Sequence, residues 1–296
     1  VPHPEAPKGA RPFIAQDCLC CGSPRLAASP AVLMPFVAHR VFGWRPVEIT
    51  EDWGLRTLRT GMAYSICNSL RCEDCGHLFL DIRFTEDQAK SLYKNYFDED
   101  YAQLRDSYEP GYLARNEKLL APVHYLDKIE TFLAPLIDQR PTILDWGGGR
   151  GQNTPFSSTR ARLFLLDISG APPVEGAVIV DPVSALAAQY DLVICSNVLE
   201  HVSYPQDLMS DLRKTLQPQT VLYLEVPYEP VQRRCADGPE ALLQKRHWHE
   251  HVSFFSHRSL KTLIETAGLD ILKWELVDVG ETPGEFYNFF VACRLT

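Results

Sequence analysis

The sequence predicts a doubly wound α/β sheet of seven strands behind a small cysteine-bearing domain and a helical segment. Three observations carry that expectation. From residue 142 onward, short apolar runs alternate with helix-like segments, as parallel strands joined by crossovers do. The first run, Thr142–Gly151 (TILDWGGGRG), breaks from an apolar strand into glycines at 147, 148, 149 and 151. Earlier in the chain, the unit Cys-x-x-Cys-Gly occurs twice, at 18–22 and 72–76.

Composition narrows the class. The chain has 296 residues, 45% of them hydrophobic and 23% charged, so one large or two modest soluble domains are expected. It has no apolar run long enough to span a membrane. The opening VPHPEAPKGARPF is proline-rich without an apolar leader, so it reads as a flexible tail of a cytoplasmic protein. A net charge of −9 argues against a polyanionic partner such as nucleic acid.

Six of the nine cysteines crowd the first quarter of the chain. In each Cys-x-x-Cys-Gly unit a tight turn aims two thiolates at one point. Two such units complete a closed tetrahedral site, the structural kind of zinc centre, with Cys18, Cys21, Cys72 and Cys75 as ligands. Cys20 is an alternative to a neighbour, while Cys67 and His77 read as bystanders. The segment between the units should be β-rich, with short strands at Val32–Met34, Tyr64–Ser69 and His77–Ile82. Reduced, unliganded cysteines in a core are the competing reading.

Residues 85–139 read as helical, opening at Thr85 with acids at the next two positions. Tyrosines are dense here, at 93, 96, 101, 108 and 112. They either pack helix on helix or form a lid over the glycine loop, with Tyr96 and Tyr108 as the candidates to touch a ligand.

The strands then follow in order. Ile143–Trp146 runs into the glycine loop, where the missing Cβ atoms let a ligand approach bare backbone. A helix is expected at Phe156–Arg162, although Pro155 and the serines make it a poor one. Leu163–Leu166 ends at Asp167, 20 residues beyond Gly147, where a carboxylate can accept hydrogen bonds from ribose hydroxyls. Val178–Val180 ends at Asp181. Tyr190–Ser196 is a buried run leading into Asn197–Val202 (NVLEHV), Asp207–Leu216 is an amphipathic helix, and Val221–Val226 is a fifth strand. Helix Ser259–Ala267 and strands Leu269–Trp274 and Asn288–Arg294 complete the sheet.

Together, ILDWGGGRG, Asp167 after LFLL, and YDLVICSNVLEHV resemble the class I S-adenosylmethionine-dependent methyltransferases over roughly residues 140–296. The resemblance implies a Rossmann-like sheet with S-adenosyl-L-methionine as cofactor. It places Asp145, Gly147, Gly149 and Gly151 at the cofactor's methionine part, Asp167 on the ribose, Asp181 near the adenine and Asn197 beside the reaction pocket. Trp146 with Gly148 departs from the family, where a small apolar residue and cysteine are common.

A narrower resemblance is to bacterial deoxysugar methyltransferases that act on nucleotide-linked sugars. It rests on the two cysteine units and on Trp248-His249-Glu250-His251-Val252-Ser253-Phe254-Phe255. It implies that Glu250 and His251 remove a proton. Trp248 stands where those enzymes have tyrosine, and no counterpart of their further C-terminal domain precedes Thr296.

The organisation expected is a tail and zinc-binding domain over 1–84, a helical lid or linker over 85–140, and a methyltransferase domain over 141–296 with an acceptor-side cap at 228–250. His247, His249 and His251 alternate and would share one face on a strand, as a base cluster, a second metal site or a hydrogen-bonded wall. His201 in NVLEHV is a further base candidate. Arg233, Arg234, Lys245 and Arg246 are candidates to meet an acceptor phosphate or carboxylate.

The expected reaction is O- or C-methylation of a small-molecule acceptor, a sugar or glycan precursor, with a His/Glu base. The alternatives are a zinc-ribbon RNA methyltransferase or nucleic-acid binder, and a cofactor-binding scaffold. An NAD-dependent oxidoreductase is disfavoured by GxGxG spacing in place of GxGxxG.

Overall fold

The computed structural model describes residues 13–50, 61–63, 66–234 and 240–296. The expected tail, the first residues of the Tyr64–Ser69 strand and part of the cap, 235–239, lie outside the described residues.

In chain order the first part comprises β1 (Leu26–Leu33), α1 (Pro35–Phe42), β2 (Val47–Ile49), β3 (Gly61–Ala63), β4 (Ile66–Cys72) and β5 (Leu78–Leu80). Four helices follow: α2 (Glu86–Tyr93), α3 (Glu99–Tyr108), α4 (Tyr112–Leu120) and α5 (Leu126–Leu133). Next come β6 (Thr142–Trp146), β7 (Arg162–Leu166), β8 (Ala177–Ile179), α6 (Pro182–Ala187), β9 (Leu192–Ser196), α7 (Pro205–Lys214) and β10 (Val221–Pro227). The chain ends with α8 (Pro230–Arg234), α9 (Glu240–Gln244), β11 (His247–Trp248), β12 (Ser253–Phe254), α10 (His257–Thr266), β13 (Leu269–Asp278) and β14 (Tyr287–Leu295).

The large sheet has seven strands in the order β13-β14-β10-β9-β6-β7-β8, all parallel except β14, which runs antiparallel to both its neighbours. The order reverses between β6 and β9, so loops leaving the carboxyl ends of those strands diverge and open a crevice. Successive residues alternate between two cores, as strand geometry requires. Leu144, Val193, Leu222 and Leu224 join one core with Leu208, Met209 and Leu212 of α7 and Leu260, Leu263 and Ile264 of α10. Ile143, Leu192, Ile194 and Tyr223 join the other with Ile129, Phe132 and Leu133 of α5.

Local chemistry sets the helix ends. Thr85 and Gln88 form a capping box at α2, and Ser256 and Ser259 form one at α10. Burial of Leu260, Leu263 and Ile264 then contributes about 1.5–3 kcal/mol each.

The structure corrects two expectations. Phe156–Arg162 is not a helix. Pro155 and a left-handed Phe156 (φ 60°) turn the chain into successive bends, and Glu130 accepts the Phe156 N–H at 2.6 Å. No helix N-terminus therefore stands at the glycine loop. Nor does the stretch after β10 stay with the large sheet. It crosses over, and β11 and β12 become the two outer strands of a five-stranded sheet, β11-β1-β4-β5-β12, built otherwise from the first eighty residues. Trp248 anchors the crossing: it is fully buried, and its indole N–H donates to Ser69 Oγ at 2.9 Å. Helices α2 to α4 stand at the crevice, whereas α5 covers the sheet.

Candidate functional site

A cleft of about 1500 Å³ lies between the two sheets, floored by Gly147–Gly149 and walled by the tyrosine helices and the 249–251 segment. The glycines are required sterically. A Cβ on Gly147 (φ +78°) would sit 2.4 Å from Val198, and one on Gly149 (φ +57°) 2.9 Å from Phe97. A Cβ on Gly148 would meet the Asp145 carboxyl at 2.4 Å. Asp145 lies buried beneath the loop, accepting from Thr154 Oγ1 at 2.6 Å. Burial raises its pKa from 3.8 to about 6. Gly151 also underlies the loop, against Leu163 and Leu165.

Asp167 lines the cleft and is pre-set, accepting the Gly149 N–H at 2.8 Å and the Ser169 N–H at 2.7 Å. Oδ1 accepts from Ser169 Oγ as well, so it is Oδ2 that keeps a lone pair for a ligand hydroxyl. Asn197 lines the cleft in the left-handed region (φ 53°), its N–H donating to the Glu225 carbonyl at 2.9 Å. Thus Gly147, Gly149, Asp167, Asn197 and Tyr96 converge on one cavity.

Four expected residues do not line it: Asp145 and Gly151, which lie beneath the loop, and Asp181 and Tyr108. Asp181 caps α6, its carboxylate accepting the Ser184 N–H at 2.8 Å. Tyr108 stacks on His39 at 5.5 Å and packs edge-on to Phe36, because its helix face meets α1. Trp146 is partly buried against the core shared with α7, so it leaves the cleft open.

The histidine wall differs in its pairings from the sequence expectation. His201, His249, Glu250 and His251 all line the cleft. β11 is too short to place the histidine row on one strand face, and His247 points to solvent. Glu250 does not orient His251. It is gripped by both oxygens by the buried Arg105, at 2.6 and 2.8 Å, and Arg105 also binds Glu109 at 3.0 Å. Burial works to raise the Glu250 pKa, but Arg105 outweighs it and holds the carboxyl at about 2. The partner of His251 is Glu229, whose Oε1 lies 2.9 Å from Nδ1. Burial opposes the charged imidazole, but the Glu229 bond and nearby carboxylates outweigh it and raise the His251 pKa. His201, by contrast, is pushed down to about 3 by burial and by His251. Of the four basic candidates only Lys245 lines the cleft. Arg233 is committed to the carbonyls of Gly284 and Glu285.

Several site residues were not found from sequence. Glu229 and Arg105 are two. Glu225 is a third: fully buried in β10, it accepts from Tyr125 Oη at 2.8 Å, Asn288 Nδ2 at 2.7 Å and Ser196 Oγ at 2.7 Å. A lone acid inside the apolar run VLYLEV was its one signal. Glu200 is buried, with neither carboxylate oxygen hydrogen-bonded.

Away from the cleft, the sulfurs of Cys18, Cys21, Cys72 and Cys75 lie within 4.8 Å of one another. Cys18–Cys75 and Cys21–Cys72 are 3.5 and 3.6 Å apart. A tetrahedral zinc with bonds of about 2.3 Å spaces its sulfurs by about 3.8 Å, so the donor set fits that ion. The N–H groups of Cys20 and Cys75 donate to Cys18 and Cys72 Sγ, each at 3.5 Å. Cys20 lies outside the group of four.

Comparison with known proteins agrees with the topology. A model of the methyltransferase domain matches residues 112–273. The chain is similar in structure to 1,6-didemethyltoxoflavin-N1-methyltransferase of Burkholderia thailandensis, solved with 1,6-didemethyltoxoflavin and S-adenosylhomocysteine bound. That match has 17% identity, covers 76% of this chain and 96% of that one, and has a TM-score of 0.51. Magnesium protoporphyrin IX methyltransferase of Synechocystis PCC 6803 is similar at 16% identity over 70% and 97% of the two chains, with a TM-score of 0.45. A glycopeptide N-methyltransferase is similar at 12% identity over 60% and 96%, with a TM-score of 0.46. No curated protein matches the sequence significantly. No helix among the described residues is long and apolar enough to cross a membrane. Because the domain match spans more than half of the sequence, over a sheet whose glycine loop and acid-tipped second strand open on one cleft, this chain belongs to the methyltransferase-domain family.

Proposed function

We propose that the chain moves a methyl group from S-adenosylmethionine to a small-molecule acceptor in the cleft. Bound S-adenosylmethionine supplies an electrophilic methyl on a sulfonium sulfur. Gly147–Gly149 accept its close approach, and Asp167 takes its ribose hydroxyls. Tyr96 and Asn197 border the pocket, with α2 to α4 as its lid. The acceptor, a sugar or glycan precursor such as a nucleotide-linked sugar, loses its proton at the corner of Glu200, His201 and His251. On the side chains alone, His251 Nε2 takes that proton, and Glu229 steadies the imidazolium. Arg105 holds Glu250, and through it the backbone between the two histidines, in place. Cys18, Cys21, Cys72 and Cys75 hold a structural zinc.

One observation carries this reading: Gly147–Gly149 and Asp167 share a single cleft with the Glu229-backed His251. Calorimetry with S-adenosylhomocysteine tests it. One site per chain is expected, weakened by about 10- to 100-fold in Asp167→Ala, as for loss of hydrogen bonds to a charged group. Binding of NAD without S-adenosylhomocysteine would sink the reading.

A further inference from the structure

Glu200 is 2% exposed and lines the cleft, yet neither of its carboxylate oxygens has a hydrogen-bond partner. Its nearest cationic candidate is His201 Nε2, 3.8 Å from Oε1. A buried polar group left bare normally marks a missing partner. The two histidines beside it are already oriented from behind. His201 Nδ1 lies 3.2 Å from the Glu250 carbonyl, so the tautomer that carries its proton on Nδ1 bonds that carbonyl and leaves Nε2 bare for a ligand. Tyr93 Oη, 2.8 Å from the same nitrogen, fixes the ring further. His251 Nδ1 faces the Glu229 carboxylate at 2.9 Å, which likewise leaves its Nε2 free. The two rings cross at right angles, 4.6 Å between centroids. One donor atom from each of Glu200, His201 and His251 lies within 4.8 Å of the others.

From this geometry we infer that Glu200, His201 and His251 bind a divalent cation at the acceptor end of the cleft. Two imidazoles and one carboxylate suit first-row divalent ions such as Mn, Fe, Co or Zn. The outer partners are those a metal-binding histidine takes: a carboxylate behind one ring, a carbonyl and a hydroxyl behind the other. Ligand bonds of about 2.0–2.2 Å require the donors to draw together by about 1 Å. Three protein ligands leave coordination positions open toward the cleft. An oxygen acceptor fills them best when a second oxygen stands next to the reacting hydroxyl, as in a vicinal diol or a hydroxy-carbonyl group. The ion lowers that hydroxyl's pKa, and the proton leaves to solvent in the cleft. This inference rests on the cleft being the acceptor chamber. With the ion bound, the ion and not His251 Nε2 meets the acceptor oxygen.

The test uses the zinc-replete full chain titrated with MnCl2, followed by loss of the free Mn2+ signal in electron paramagnetic resonance. The thiolate site prefers zinc, so the manganese signal reports the second site. One Mn2+ per chain is expected. Glu200→Gln and His251→Gln should each weaken it at least 10-fold, and Glu229→Gln by about 10- to 100-fold through the outer shell. S-adenosylhomocysteine binding, measured on every sample, certifies folding. Saturable binding that these variants abolish supports the cation site. No saturable binding, or binding equal in Glu200→Gln and the parent, overturns it. If S-adenosylhomocysteine still binds in that case, the methyl-transfer reading survives with His251 as base; if it does not bind the parent, that reading fails separately.

Discussion

Asp145 offers a test of how the cofactor loop is stored in the fold. Its carboxyl is 4% exposed beneath Gly148, with Thr154 as its hydrogen-bond donor. Burial raises its pKa from 3.8 to about 6. A carboxyl whose folded pKa is raised binds its proton more tightly in the native state. Its stabilising contribution is therefore full below pH 3.8 and is lost as pH rises through 6. The displacement corresponds to about 3 kcal/mol at neutral pH. Asp145→Asn removes the titration and keeps an oxygen that can accept from Thr154. The variant should be more stable than the parent by about 1–2 kcal/mol at pH 5 and about 3 kcal/mol at pH 8. Urea unfolding followed by circular dichroism at several pH values measures this difference. A gap that does not change with pH, or a variant less stable at pH 8, would refute the argument that burial charges a penalty here. The penalty makes sense at a functional loop: the acid is kept where an amide or an apolar residue would be more stable.

Other substitutions probe the remaining supports. Arg105→Met leaves Glu250 and Glu109 without their buried cation and should cost about 3–5 kcal/mol in denaturant unfolding; a loss under about 1 kcal/mol would show the network to be dispensable. Gly147→Ala forces a Cβ to 2.4 Å from Val198 at positive φ, so calorimetry should find S-adenosylhomocysteine binding lost or weakened more than tenfold, and unchanged affinity would contradict the cradle. Cys72→Ser should drop bound zinc from about one per chain to none by elemental analysis, and undiminished zinc would remove the four-sulfur assignment.

The sheet was legible because its strands are short apolar runs that end in acids or glycines. Those end residues are dictated by what the carboxyl edge must present. Gly147, Gly149, Asp167 and Asn197 line one cleft for that reason. The errors share a different cause. Phe156–Arg162 has helix length but no means of starting one after Pro155, and a left-handed Phe156 ends the matter. Asp181 satisfies the same end-of-strand pattern as Asp167, but it is the N-cap of a new helix and accepts the N–H of that helix's third residue, Ser184, so the local bond wins. Tyr108 and Tyr96 are indistinguishable by type; which one faces the cleft depends on how α3 meets α1. Pairings across long sequence separations carry no local signal. Arg105 with Glu250 and Tyr125 with Glu225 are of that kind.

The His249–His251 segment shows what this means for the site. Read along the chain, it belongs to the methyltransferase half, since it lies between two strands of the large sheet. In space it is held by the other sheet: β11 pairs with β1, and β12 with β5. The second cysteine unit joins the same fixing. Cys75 O accepts from Ser256 Oγ at 2.8 Å, and Gln232 Nε2 spans the Gly76 and Phe254 carbonyls at 2.9 and 2.8 Å. Gln206 closes the first unit onto α7 through the Cys20 carbonyl at 3.1 Å. The glycine-loop end of the cleft is therefore set by the large sheet, and the His249–His251 end by the cysteine-bearing one. Because Cys21 and Cys75 sit within one residue of these contacts, whatever orders the cysteine turns also orders the backbone carrying His251. Cys18, Cys20, Cys72 and Cys75 also pack into the core that the large sheet shares with α7 and α10, so the cysteine units and the large sheet are joined through one core.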